Sequence, residues 1–114
     1  MVRWGVLGAG SVARRRVMPA MAASPRRRLQ TLMVRDRERA RRLAAEFGAT
    51  SSCDRVGELI SDPEVDAVYV SSPVDLHCQQ VLAAAAAGKH VLCEKPMALS
   101  PEECRRMIAA CDAA

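Results

Sequence analysis

Short apolar runs of strand length alternate with longer stretches in which apolar residues recur every three or four positions, from one end of the chain to the other. Short β-like runs near Trp4 to Leu7, Leu29 to Val34, Thr50 to Cys53, Ala67 to Ser71 and His90 to Cys93 predict β-strands. Between the second and third runs, Ala40, Leu43, Ala44 and Phe47 stand at i, i+3, i+4 and i+7, so one face of that helix is apolar, and Gly48 supplies a left-handed stop. The Ala-rich segment from Leu76 to Ala87, ended by Gly88, predicts the helix that leads into the last strand. The final helix is the most clearly marked. Ser100 stands as N-cap, Pro101 at the first helical position and Glu103 three residues after the cap, with Cys104, Met107, Ile108 and Cys111 on one face. Pro19 is the one irregularity, because inside the first helix it removes a backbone hydrogen bond and predicts a kink near Met18. Strands that alternate with helices in this way are the signature of βαβ units, so the expected fold is α/β, a doubly wound parallel sheet.

Composition narrows this picture. A chain of 114 residues is one domain's worth, and a 50% hydrophobic, 26% charged sequence is globular rather than disordered or fibrous. The aromatic share of 3% implies a core of Ala, Val, Leu and Met, whose small side chains let helices approach a sheet closely. The net charge of +4 comes almost wholly from arginine, Lys89 and Lys95 being the only lysines. The arginines fall in groups (14–16, 26–28 and 35–42) without aromatic residues to stack on bases, so no nucleic-acid partner is expected. The five cysteines, Cys53, Cys78, Cys93, Cys104 and Cys111, lack CxxC spacing and histidines at zinc-site intervals, and read as reduced thiols without a metal. The chain enters its first strand without a signal-peptide stretch, and no run reaches membrane-spanning length. A cytoplasmic protein with no membrane partner is expected.

Four segments carry candidate chemistry. Gly8-Ala9-Gly10-Ser11-Val12-Ala13 follows a strand and opens a helix, the context that makes a GxGxxG-like turn a dinucleotide fingerprint. Gly8 permits the tight turn, Gly10 lets a pyrophosphate approach the backbone, and Ala13 lets helix pack on strand, while the helix N-terminus favours the phosphate charge. Val34-Arg35-Asp36 ends the second strand, where an acid bonds a ribose 2′-hydroxyl and a base accommodates a 2′-phosphate. Val34 occupies the acid's place and Arg35 follows it, so NADP is the preferred guest and NAD the alternative; Asp36 doubles as the N-cap of the next helix. Ser71-Ser72-Pro73 ends the fourth strand on the ligand-binding edge of the sheet, with His77 just inside the following helix, where it reads as a capping or packing residue. Cys93-Glu94-Lys95-Pro96 closes the fifth strand, with a charged pair at its C-terminal end.

Together, the glycine turn, Val70-Ser71-Ser72-Pro73 with His77, and above all the run from Gly88 to Pro96 ending Glu94-Lys95-Pro96, resemble the N-terminal domain of the Gfo/Idh/MocA oxidoreductases over nearly the whole chain. The resemblance implies that residues 1–114 are the Rossmann NAD(P)-binding domain of an oxidoreductase that transfers a hydride between a nicotinamide cofactor and a sugar, inositol or related polyol. It also implies that a C-terminal α/β substrate domain, which carries the acid/base histidine and an oligomerisation surface, lies outside this sequence, and that the 114 residues alone are inactive. Lys95 would be the catalytic residue, holding a substrate hydroxyl. Glu94 would orient the cofactor, and Pro96, cis in many members, would shape the turn. The family's NADP users carry a Ser-Arg pair after the second strand, and here Val34 replaces the serine while Arg35 remains. The implied cofactor-binding set is Gly8, Ala9, Gly10, Ser11, Val12, Ala13, Arg35, Ser71, Ser72, Pro73, His77, Glu94, Lys95 and Pro96. A dinucleotide-binding sensor or regulatory module without catalysis is the alternative reading.

Overall fold

The computed structural model describes residues 1–114. Five parallel strands form one sheet in the order β3-β2-β1-β4-β5. They are β1 (Val2–Leu7), β2 (Arg27–Met33), β3 (Ser51–Cys53), β4 (Ala67–Val70) and β5 (His90–Cys93). The chain builds outward from β1 through β2 to β3, then returns across the sheet to β4 and continues to β5. The order therefore reverses between β1 and β4. At such a reversal the loops leaving two adjacent strands diverge to opposite faces, and the crevice between them lies at the strands' C-terminal ends.

Alternate side chains of the strands sort into two cores, as the strand period of two requires. Val6, Leu32 and Tyr69 face one side with Ala13, Met18, Met21, Ala40 and Leu43. Leu7, Met33, Val68 and Val70 face the other with Leu59, Val81, Ala84 and Met107. Helices α1 (Met18–Ala23) and α2 (Arg37–Phe47) thus cover the first face, and α3 (Val56–Ile60), α4 (His77–Ala86) and α5 (Pro101–Ala113) lie on the second. This is the doubly wound arrangement. Gly48 ends α2 at φ 75°, the left-handed stop that the pattern predicts.

The structure departs from the sequence reading in three places. The helical run of residues 11–23 is not simply kinked at Pro19. Residues Ala13–Val17 wind as a π turn, in which the Met18 amide reaches back five residues to the Ala13 carbonyl, and the fault spreads N-terminally from the proline. Second, α3 is an additional short helix. Third, the predicted stripe of α5 is only partly covered: Met107 is buried, while Ile108 and Cys111 are exposed. Its start is as expected, with the Ser100 Oγ accepting the Glu103 amide at 3.2 Å and the Glu103 carboxylate accepting the Leu99 amide at 3.0 Å.

Candidate functional site at the sheet switch point

At the end of β1 the chain turns sharply at Gly8, whose φ of +83° few side chains tolerate. Its amide donates to the Met33 carbonyl at 2.8 Å, tying the turn to β2. A Cβ at Gly8 would lie 2.8 Å from the Ser72 backbone, so the close approach of the β1 and β4 turns requires glycine. Gly10 is different: a Cβ there would meet only the Ser71 carbonyl oxygen, at 3.4 Å. The protein itself has room for a side chain at Gly10, and the space in front of it opens into the crevice. Ala9 and Ala13 are buried in the core on the α1–α2 side, where larger side chains would push the helical run off the sheet. The Arg14 side chain folds back, its Nε donating to the Ala9 carbonyl at 3.1 Å, and so steadies the loop. The first amides of the run at residues 11–23 have no helical carbonyl ahead of them and carry the positive end of its dipole.

On one side of this turn a groove of about 510 Å³ is lined by Gly8, Gly10, Val34, Arg35, Arg39 and Ser71. Pro73 lies on its wall as well. Arg39, which the sequence reading did not select, stands in the first turn of α2, four residues beyond Arg35. The chain's four ion pairs use Arg37 with Asp54 and Arg41 with Glu38, but neither Arg35 nor Arg39. Asp36 is spent on capping, accepting the Arg39 amide at 3.1 Å. Two unpaired guanidinium side chains therefore border the groove beside an acid already engaged with a helix N-terminus.

A second hollow, of about 320 Å³, shares Gly10, Ser71 and Ser72 with the first and is bordered by Ser11, Val12, Ala13, Tyr69, Val74, His77, Glu94, Lys95 and Pro96. The hydroxyls of the β4 turn are donated within the protein: Ser71 Oγ to the Gly8 carbonyl at 2.9 Å, and Ser72 Oγ in a bond with Gln80. They tie loops together and keep only their lone pairs for a guest. Glu94 accepts the Tyr69 hydroxyl and the Lys95 amide, and these two bonds, the first above all, hold its carboxyl below the usual carboxylate range. Burial, and then the Glu94 carboxylate, raises the Tyr69 phenol well above its ordinary value, so it stays a donor. Lys95 is exposed and enters no ion pair, and the Lys95–Pro96 bond is cis. His77 is buried, with both ring nitrogens on backbone carbonyls.

Every residue selected from the sequence thus borders one of two adjoining hollows, which meet at Gly10, Ser71 and Ser72 and together form a crevice across the switch point. The crevice suits a dinucleotide: a close-approach glycine at its centre, a helix N-terminus, free guanidinium groups at one end and an ammonium at the other. Residues 2–114 match the oxidoreductase family with the NAD-binding Rossmann fold, Gfo/Idh/MocA. The chain belongs to that family. It is 46% identical over 110 residues to a 1,5-anhydro-D-fructose reductase of Ensifer adhaerens, covering 96% of this chain and 33% of that protein. Among solved structures, the 3-ketoreductase KijD10 of Actinomadura kijaniata, crystallised with NADP and TDP-benzene, superposes with a TM-score of 0.93 at 35% identity. That match covers 98% of this chain and 34% of KijD10. An NAD binding oxidoreductase of Klebsiella pneumoniae superposes with a TM-score of 0.85 at 36% identity, over 98% of this chain and 32% of that one. The chain therefore spans about a third of the length of the relatives it matches. Either NADP or NAD is consistent with the family, and no helix of the chain is long and apolar enough to cross a membrane.

Proposed function

We propose that residues 1–114 are the NADP-preferring cofactor domain of a cytoplasmic oxidoreductase acting on a sugar, inositol or related polyol. The observation that carries this reading is the crevice itself, with Gly10 open to it, Arg35 and Arg39 unpaired at one end and Lys95 at the other. The bound cofactor supplies the hydride chemistry. The chain's own residues do the rest of the work on this side of the site. Arg35 and Arg39 give charged hydrogen bonds to a 2′-phosphate. The amides of Gly10, Ser11 and Val12 meet the pyrophosphate, while Ala9 and Ala13 let the helix approach it. The turn at Ser71, Ser72 and Pro73 walls the ribose. Glu94, already ionised and fixed by Tyr69, sets the turn that presents Lys95, whose ammonium holds a substrate hydroxyl and assists its loss of a proton.

The relatives' greater length supports placing the second wall of the substrate pocket, and any oligomer contact, outside these residues. On this reading the 114 residues bind cofactor without turning over substrate, because holding the reacting carbon in place is a large share of the rate. NADPH absorbance with a panel of sugars and polyols, with Lys95→Ala as control, tests it. Cofactor binding without turnover is expected; Lys95-dependent turnover would show that these residues are an enzyme by themselves.

A further inference from the structure

His77 is 2% exposed, and its two ring nitrogens point to two different turns. Nε2 lies 2.7 Å from the Ser72 carbonyl, at the end of β4. Nδ1 lies 3.0 Å from the Pro96 carbonyl and 3.2 Å from that of Met97, in the turn after β5. No backbone amide donates to any of these three carbonyls. The Cys93 thiol stands 3.4 Å from Nδ1, and burial pushes it up to about 11, so it stays a neutral thiol there rather than a competing anion. A residue that merely filled space would not need an imidazole. A neutral imidazole carries one ring proton, so it donates to one turn at a time. With the proton on Nε2 it donates to the Ser72 carbonyl and Nδ1 accepts from the Cys93 thiol at the start of the second turn. With the proton on Nδ1 it donates to the Pro96 carbonyl, and in either case the ring spans both turns.

We infer that His77 is a positioning residue: it clamps the Ser72 turn to the Lys95–Met97 turn and thereby holds Lys95 at its end of the crevice, without itself contacting cofactor or substrate. The clamp adds a second link between the two halves of the second hollow, beside the bond from Tyr69 to Glu94. The consequence for ligands rests on the cofactor reading above, but the clamp itself does not.

The test uses amide exchange by mass spectrometry together with calorimetric binding of NADP and of adenosine 2′,5′-bisphosphate, which reaches only the Arg35 and Arg39 end. In His77→Leu, exchange should rise about tenfold or more in residues 72–74 and 95–99 and stay unchanged in β1 to β3. NADP should weaken by about tenfold, while the bisphosphate changes less than about twofold, since one end of the crevice alone has been loosened. Two partial variants separate the ends. His77→Gln keeps a donor near the Nε2 position and should free residues 95–99 alone, whereas His77→Asn keeps one near Nδ1 and should free residues 72–74 alone. These two decide the matter by the same criteria if the leucine variant does not fold. Unchanged exchange in both turns, or equal loss of both ligands, overturns the inference. If the unsubstituted chain binds neither ligand, the cofactor reading is what fails. Localised exchange in the variants then still upholds the clamp, and its absence overturns it.

Discussion

Tyr69 donates its phenolic hydrogen to the carboxylate of Glu94, joining the otherwise buried end of β4 to the residue that precedes Lys95. Tyr69 is 1% exposed, so its hydroxyl has nowhere else to go. Tyr69→Phe should cost about 1 kcal/mol, the net worth of one hydrogen bond. It should also alter the response to acid. Because Glu94 titrates lower in the folded chain than in the unfolded one, the stability it contributes is complete above the usual carboxylate range and is lost as the pH falls through it. Urea unfolding of both proteins between neutral and acid pH checks this, and the phenylalanine variant should show the shallower loss.

Gly8 and Gly10 should separate fold from ligand. Alanine at Gly8 must adopt a φ of +83° and press its Cβ to 2.8 Å from the Ser72 backbone, so Gly8→Ala should lower stability by about 1 to 3 kcal/mol. Gly10→Ala should stay within about 0.5 kcal/mol of the parent chain, since only the Ser71 oxygen is near, at 3.4 Å. Thermal melts without ligand distinguish the two.

Arg35→Ala and Arg39→Ala should each weaken NADP by about 1 to 3 kcal/mol and leave NAD nearly unchanged, the range for hydrogen bonds to a charged group. Calorimetry with both cofactors reads the difference. Equal loss of both would make these arginines structural.

At the opposite edge of the sheet, Arg3 grips Asp66 through two side-chain bonds of 2.9 and 3.0 Å and a main-chain amide at 2.9 Å. The guanidinium bonds, then the amide, hold the Asp66 carboxyl far below its ordinary value. A lowered folded value means stability that is present above the unfolded value of about 3.9 and is lost as pH falls beneath it. Melting temperatures measured from pH 6 downward should therefore fall more steeply below about pH 4 in the parent chain than in Asp66→Asn.

The alternation of strand and helix, the five strands and the capped start of α5 were legible because each leaves a local mark: a short strand-length run between helical patterns, a Ser-Pro-x-Glu opening, a glycine stop. The glycine turn and Glu94-Lys95-Pro96 were legible for the same reason. What escaped depended on neighbours far away in the chain. Arg39 joins the crevice only because α2 starts at Arg37 and turns that face towards Gly8. The Tyr69 hydroxyl finds Glu94 only because β5 lies beside β4. The bonds of the Ser71 and Ser72 hydroxyls to Gly8 and Gln80 escaped as well, because the packing of the turns decides them. The five residues of α3 are too few to show a period. Pro19 signalled a fault in its helix, but a proline does not say whether the chain bends or widens its turn.

The central claim is that the open space before Gly10 receives a nicotinamide dinucleotide, and titrating NADP into the chain and into Gly10→Val by calorimetry tests it most directly, with circular dichroism to show that both are folded. The account predicts saturable binding by the parent chain and at least about a hundredfold weaker binding by the variant, whose side chain fills the pyrophosphate's place. Equal affinity of two folded proteins, or no binding by the parent chain to NADP or NAD, would contradict it.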